Sequence, residues 1–473
     1  MSKTIISYDD NSTDIALSGK KNALALLKIK LHKFLYRVEV DRAVFFGILA
    51  KIWGLIFGPL TALLIVIKFT PEYQGYYYTF NGLLALQVFV ELGLGIVITQ
   101  FASHEWSKLK IDVDLGITGD KGALARLAGL AKIISRWYLA GGLIIALSLG
   151  VGGYIFFTHS HNSNISWQLP WFFLCFFTAV TFFLSPLLSL LEGCNQVSAV
   201  YTYRFFQGVI SSLIICVAIF LGAKLWSASI AIAVVALYTV LFLKYKYSKF
   251  IKCLLLTKTS DCCINWSKEI LPMQWRIAVS TISGYFMFFL FTPVIFNYYG
   301  SVVAGQFGMT WSLAITASTI SSSWLFPKIP RFGMLIAEKK YAELDILFFR
   351  ITKIFVINTL VATSAAWFLV YILNKLHHPF AARLLPLLPT TLFLIAQVIM
   401  ALSMPFTAYL RAHKKEPLLW WGICSAVLTA LSTFILGKYY SVTAIGLGYL
   451  LINIVMVPCL VLLWHRCRRE WHV

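Results

Sequence analysis

The sequence predicts an all-α polytopic membrane protein of about twelve transmembrane helices in two six-helix bundles, and three observations carry that expectation. Hydrophobic residues make up 59% of the 473 positions and charged residues only 12%, where soluble domains carry about 25% charge. Apolar runs long enough to cross a hydrocarbon core, which takes about 20 residues each, recur from end to end. The basic residues alternate from one set of connections to the other, as the positive-inside rule requires of a multi-pass chain.

Taken in order, the spans fall near 43–68, 76–101, 133–157, 169–191, 205–223, 226–243, 273–296, 302–326, 351–373, 384–410, 418–437 and 443–464. Only Ala223, Lys224 and Leu225 separate the fifth from the sixth, so that hairpin is where a miscount would fall. Of 40 Lys and Arg, 34 lie in the N-terminal arm, alternate connections and C-terminal tail. The other connections hold Lys68, Lys224, Lys375, Arg383 and Lys438, and Lys51 lies within span 1. This bias places both termini in the cytoplasm. It also accounts for the net charge of +21 as a topology signal, so no nucleic-acid partner is expected.

The domain organisation follows: a cytoplasmic arm over 1–42, an N-terminal bundle over 43–243, a basic linker over 244–271, a C-terminal bundle over 272–464 and a basic tail over 465–473. Residues 21–38 predict an amphipathic helix lying on the anionic leaflet, with Leu24, Leu27, Leu31 and Phe34 on one face. Landmarks recur between the halves. A proline interrupts span 1 at Pro59 and span 7 at Pro293; Gly75-Tyr76-Tyr77-Tyr78-Thr79-Phe80 opens span 2 and Gly305-Gln306-Phe307-Gly308-Met309-Thr310 opens span 8. Pro186 precedes Gly193 by seven residues and Pro405 precedes Ala412 by seven. Such a repeat places a substrate site between the halves.

Several function classes lose support. No exterior connection is long enough for the folded loop that a membrane glycan polymerase or ligase needs, and no connection carries a phosphate-cradling glycine motif. Gly116, Gly119 and Gly122 do not fit a nucleotide fingerprint, and Asp112 and Asp114 read as solvated loop residues. The adjacent Cys262-Cys263 lacks zinc-site spacing, and no cysteine lies in an exterior connection, so neither metal, disulfide nor cofactor is expected. The chain reads as a transporter and not an enzyme.

Charges within spans ask for a reason, because each costs at least about 2.5–3.5 kcal/mol at the bilayer centre. Lys51 and Glu91 lie at matching depths of roughly 12 and 15 Å on consecutive spans, which predicts an ion pair. Either the pair lines the cleft and changes partners, with Glu91 taking a proton, or it fixes span 1 to span 2. Arg276, beside Trp275, is an interfacial anchor or a cation suited to phosphate. With Arg204, Lys328 and Arg331 at comparable depth it forms a candidate basic ring for a pyrophosphate. Gln306 is a further cleft candidate. On span 8, Thr316, Ser318, Thr319, Ser321, Ser322 and Ser323 predict a helix lining a wet cavity. Tyr76, Tyr77, Tyr78, Trp311 and Trp324 are candidates for stacking on sugar faces.

Four segments, Glu91-Leu92-Gly93-Leu94-Gly95, Gln274-Trp275-Arg276-Ile277-Ala278, Gly305-Gln306-Phe307-Gly308-Met309 and Pro330-Arg331-Phe332-Gly333, together resemble the Wzx-type O-antigen flippases. These form the polysaccharide-exporter branch of the multidrug/oligosaccharidyl-lipid/polysaccharide (MOP) superfamily. The resemblance implies a V-shaped, MATE-like pair of bundles with a cationic cleft. It implies alternating-access movement of undecaprenyl-pyrophosphate-linked oligosaccharide across a bacterial inner membrane, for lipopolysaccharide or other surface polysaccharide biosynthesis. It further implies coupling to a proton or sodium gradient, with membrane lipids and polysaccharide polymerase or assembly proteins as partners. The chain lacks the two extra spans of a lipid II flippase. Its rivals are a MATE-like drug or cation antiporter, whose cavity should be acidic, and a glycan polymerase or ligase.

Overall fold

The computed structural model describes residues 42–112, 116–160, 165–257, 265–413 and 417–472; the expected helix over 21–38 and the Cys262-Cys263 pair lie outside them. Span 1 is one unbroken helix, α1 (Arg42–Lys68), in which Pro59 causes no break. Thr70 then caps α2 (Pro71–Leu84), its hydroxyl accepting from the Tyr73 N–H while Pro71 sits in the first turn, where its missing N–H costs nothing. Span 2 continues through a single 3-10 turn into α3 (Val88–Glu91) and, after a 43° bend, α4 (Leu94–Trp106). Leu92 (φ 51°) and Gly93 (φ 66°) make that break.

Between spans 2 and 3 the loop forms an antiparallel hairpin, β1 (Leu109–Asp112) with β2 (Gly116–Gly119). The N-terminal half is completed by α5 (Lys121–Ser160), α6 (Gln168–Gly193), α7 (Val197–Phe220) and α8 (Trp226–Leu256). Spans 5 and 6 are two full helices, separated by a turn with positive φ at Gly222 and Lys224. Span 6 outlasts its expected end at 243 and runs to Leu256, into what was read as linker.

The C-terminal half contains α9 (Leu271–Phe288), α10 (Phe291–Leu325), α11 (Ile329–Ala337) and α12 (Tyr341–Lys375). It ends with α13 (Leu387–Ala401), α14 (Ser403–Ala412), α15 (Leu419–Tyr439) and α16 (Val442–Trp471). α10 is two arms: Gly300 adopts φ 84° and ψ 177°, and the rings of Phe291 and Trp311 lie only 5.5 Å apart. Twenty residues of continuous helix would separate them by about 30 Å, so the chain reverses at Gly300. By length and hydropathy, ten segments of the described residues can cross a membrane, or eleven with the bent span 2. One of those segments, Trp266–Ala337, contains the Gly300 reversal and crosses twice, which gives the expected twelve.

Span 7 breaks at Phe289-Leu290, four residues before Pro293 and not at the proline itself. Proline cannot donate to the carbonyl four residues back and its ring crowds that carbonyl, so the break falls at Phe289.

The same helix pairings recur in both halves: α1 packs on α7 as α9 packs on α15, and α6 on α8 as α13 on α16. Connections rich in Lys and Arg end on one face of the molecule, here the basic face; Lys68, Lys224, Lys375, Arg383 and Lys438 lie toward the other. Tyr76, Phe157 and Phe296 knit the halves together toward that opposite face, with centroids 5.1–5.3 Å apart. A second cluster, Phe332, Phe348, Tyr409 and Trp464, fills the C-terminal half near the basic face.

Candidate functional site

Two helices meet through internal glycines toward the opposite face. A Cβ on Gly75 of α2 would stand 1.8 Å from the Ser301 carbonyl oxygen, and one on Gly305 of α10 would stand 2.8 Å from the Gly75 nitrogen. The two repeat landmarks therefore touch backbone to backbone, an approach only glycine permits. Around them Gln74 donates to the carbonyls of Gly305 (2.8 Å) and Arg383 (3.0 Å), and Arg383 donates across to the Phe69 carbonyl. Burial lowers the Arg383 guanidinium from its ordinary range, and Glu72 opposes that shift.

Below this seam lies a cavity of about 450 Å³ between α1, α2, α7 and the longer arm of α10. Its wall includes Trp53, Thr61, Tyr77, Tyr78, Asn81, Ser212 and Ser312. The Trp53 indole is held by donation to Ser212 Oγ (2.7 Å) and by stacking on Phe57 at 4.0 Å. A further space of about 400 Å³ shares Asn81 and Gly208 and reaches Arg204 and Gln207 between α6, α7 and α8. No carboxylate lines either cavity among the described residues. The openness is built by small residues: a Cβ on Gly54, Gly58 or Gly208 would meet nothing within 4 Å.

Several sequence expectations change here. Lys51 and Glu91 are not paired. The Lys51 ammonium lies 4.1 Å over the Phe326 ring at the end of α10, whereas Glu91 faces inward toward Ser189 and Tyr138 of its own half. The two side chains point to different neighbours, so the expected pair does not form. Gln306 lies toward the opposite face, donating to the Ala382 carbonyl (2.9 Å). Of the candidate basic ring, Arg204 bonds Glu192 at 2.7 Å, Arg276 lies against Trp275, and Lys328 and Arg331 are exposed at the basic end.

Of the span-8 hydroxyls, Ser318, Ser321 and Ser322 are buried, and Thr316, Thr319 and Ser323 are half-buried. Each of the six donates to a carbonyl of its own helix, and Ser318 also accepts from Gln397 (3.1 Å), tying α10 to α13. Tyr76 is 1% exposed and Trp311 6%, so neither presents a ring to a sugar, while Trp324 is exposed. Trp53 was missed; its signal was a tryptophan in mid-span, away from the interfaces where that residue collects.

Near the basic face the halves touch along two lines. Phe89 packs on Tyr285 and Phe286 at 5.4 and 5.7 Å, and Gly93 lies beside Ile277 and Thr281 of α9. Arg126 bonds both Glu105 at the end of α4 (2.8 Å) and Glu269 just before α9 (2.6 Å). Those bonds raise Arg126, and its guanidinium, followed by the Asn265 N–H, lowers Glu269.

No family model and no curated protein matches the chain. Solved structures do. A multidrug resistance MATE family transporter of the MOP superfamily, in its inward-facing conformation, superposes with a TM-score of 0.64 at 14% identity, covering 88% of this chain and 95% of that one. The outward-facing conformation of a transporter described in the same words gives 0.50 at 13% identity, over 91% and 97%. A MOP superfamily transporter from Pyrococcus furiosus, described as having a binding pocket of reverse polarity that suggests a different function, gives 0.52 at 14%, over 91% and 97%. The chain thus has the MATE-like fold of these transporters.

Proposed function

We propose that this chain is a transporter that moves an undecaprenyl-pyrophosphate-linked oligosaccharide across a bacterial inner membrane by alternating access, with both termini cytoplasmic. The observation that carries the reading is the polarity of the cavity beneath the closed seam. Within a largely apolar lining it presents the Trp53, Tyr77 and Tyr78 rings with hydroxyl and amide groups, Arg204 lines the adjoining space, and no carboxylate is among the described lining residues of either. Such a surface suits a sugar, which an indole face and neutral donors can hold. An acidic lining would instead suit a cationic drug.

In this reading Lys51, Arg276, Lys328 and Arg331 form the entrance that attracts the pyrophosphate, by charge and, at the arginines, by paired hydrogen bonds. The lipid tail stays in the bilayer beside the cleft. Gly75 and Gly305 mark the face that must part for release. The multidrug description of a similar fold supports a second reading, a drug antiporter.

The test is leaflet translocation in proteoliposomes, with a lipid-linked oligosaccharide bearing a pyrophosphate and, separately, a cationic dye. Movement of the glycolipid and not the dye is the expected result. Dye movement alone would select the antiporter; no glycolipid movement across several glycans and imposed gradients would overturn the proposal.

A further inference from the structure

Near the basic face the ends of α14 and α16 bring two histidines together. His413 follows the last residue of α14 and His472 the last of α16, and their Nε2 atoms stand 3.4 Å apart. They are 59 residues apart in the chain, so no spacing in the sequence marks the pair. Both rings are half-buried, within reach of water.

The surroundings hold each ring in place. His413 Nδ1 lies 3.0 Å from the Tyr409 carbonyl oxygen. A carbonyl can only accept, so the proton is on Nδ1 and the lone pair is on Nε2, toward His472. Metal-bound imidazoles are oriented in this way, by a carbonyl on the other nitrogen. His472 stacks on Tyr341 of α12 at 4.1 Å, with the ring planes 15° apart. Its Nε2 also lies 3.1 Å from Tyr409 Oη, whose hydroxyl donates to Asp345 (3.0 Å).

Distance separates two roles for the pair. Hydrogen bonds from N–H run about 2.7–3.2 Å, so 3.4 Å is long for a direct bond between the rings. Around a tetrahedral Zn(II), with each nitrogen about 2.0–2.1 Å from the ion, the edge between two nitrogens is about 3.3–3.4 Å. The histidines thus stand as two ligands of one ion would.

The electrostatics admit a cation. Two helices end here, each presenting the negative end of its dipole. Arg468 is committed to Asp345 and Arg466 to Glu470, while Arg411 and Arg469 are exposed to solvent. Among the described residues no third His, Cys, Asp or Glu completes a ligand set, so water fills the remaining positions. Structural zinc sites are closed by four protein ligands; a site with two holds its ion exchangeably.

We propose that His413 and His472 form an exchangeable site for a divalent metal of the imidazole-preferring class, Zn(II), Ni(II) or Cu(II), which staples the C-terminal tail to the end of span 10. On binding, His472 carries its proton on Nδ1 and gives the Nε2 lone pair to the metal, while Tyr409 keeps its bond to Asp345. Magnesium and calcium prefer oxygen ligands and should not bind. The site is independent of what the chain transports.

The test uses full-length protein in detergent at neutral pH, without a polyhistidine tag and freed of metal by a chelator. Cu(II), added below one equivalent, is read by electron paramagnetic resonance. Wild type should show splitting from two imidazole nitrogens. His413→Ala and His472→Ala should each lose that pattern, and His104→Ala, in the other half, should keep it. Zn(II) should slow protease cutting within the last turn of α16 severalfold in wild type and in neither site variant; magnesium should not slow it.

An absent two-nitrogen pattern in wild type, or the same pattern in every variant, overturns the proposal. A pair that is only hydrogen-bonded predicts faster cutting in both site variants and no effect of Zn(II) on wild type, and that result overturns it as well. If His413→Ala fails to assemble, His472→Ala, which alters the tail alone, decides by the same two readouts. Neither readout involves a transported substrate, so failure here leaves the flippase reading standing.

Discussion

The two lines along which the halves meet are related by the repeat, yet they are built differently. Span 1 faces span 8 as an unbroken helix despite Pro59, and the arm of α10 after Gly300 stays helical to Leu325. Span 2 faces span 7 with a break in each: at Leu92-Gly93 on one side and at Phe289-Leu290 on the other. Phe89, Tyr285 and Phe286 bring the two broken stretches into contact. Unbroken helices transmit rotation as rigid rods, whereas broken ones absorb it in a few dihedrals. A two-fold architecture thus carries its joints on one side.

The largest effect should come from the glycine seam. Gly75→Ala drives a methyl into the Ser301 backbone, and since backbone cannot rotate aside, a loss of about 3 kcal/mol is expected. Gly54→Ala, whose Cβ meets nothing within 4 Å, should stay within about 0.5 kcal/mol of wild type. Thermal unfolding of both variants in detergent checks this; equal shifts would mean that the seam is not tight.

Gly93→Ala comes next. Its φ of 66° and the 2.4 Å approach to Ile277 Cγ2 should together cost about 2 kcal/mol. Adding Ile277→Ala should recover the steric part and leave about 1 kcal/mol from the backbone. Full recovery would remove the left-handed conformation from the account.

Arg126→Ala should destabilise by about 1 kcal/mol, because both carboxylate bonds are partly solvated. Glu269 is lowered chiefly by Arg126. Its contribution is therefore present above the ordinary carboxylate range and lost as pH falls through the lowered value. Wild type and variant should converge in acid, as a pH series of unfolding midpoints would reveal.

The smallest effect is at the C terminus. His472 approaches Tyr409 Oη at 3.1 Å, and Tyr409 in turn donates to Asp345 (3.0 Å). Burial first, then His413 and Arg468, lower His472, against the pull of Asp345. The neutral form is favoured, so this clamp is intact above the ordinary histidine value and fades as pH falls through the lowered one. Protease cutting within the last turn of α16 should rise as pH falls below about 6.5, and His472→Gln should abolish the rise.

Much of the fold was legible because hydropathy and basic alternation are properties of whole segments. The reversal near Gly300 fell within the connection expected after span 7, and the soft hairpin between spans 5 and 6 proved to be two helices. The broken joints were less legible. Glu91-Leu92-Gly93 looks like continuous span, since nothing local forces a leucine into the left-handed region; the packing around it does. At the site, what failed was azimuth. Lys51 and Glu91 lie on consecutive spans but do not face each other, and the span-8 hydroxyls bond within their own helix. Trp53, by contrast, gained its role from Ser212, 159 residues away.

The backbone contact at Gly75 and Gly305 has one more consequence. Contacts between atoms already at van der Waals distance lose a quarter to a half of their attraction within about 0.5–1 Å of separation. Gln74, Gln306 and Arg383 add hydrogen bonds that are equally short in reach. Apart from the attraction between Glu72 and Arg383, a closure made of such terms has no long-range pull with which to hold a half-parted state. It should behave as a latch with two positions, shut or released, so that the time spent partly open is brief by construction.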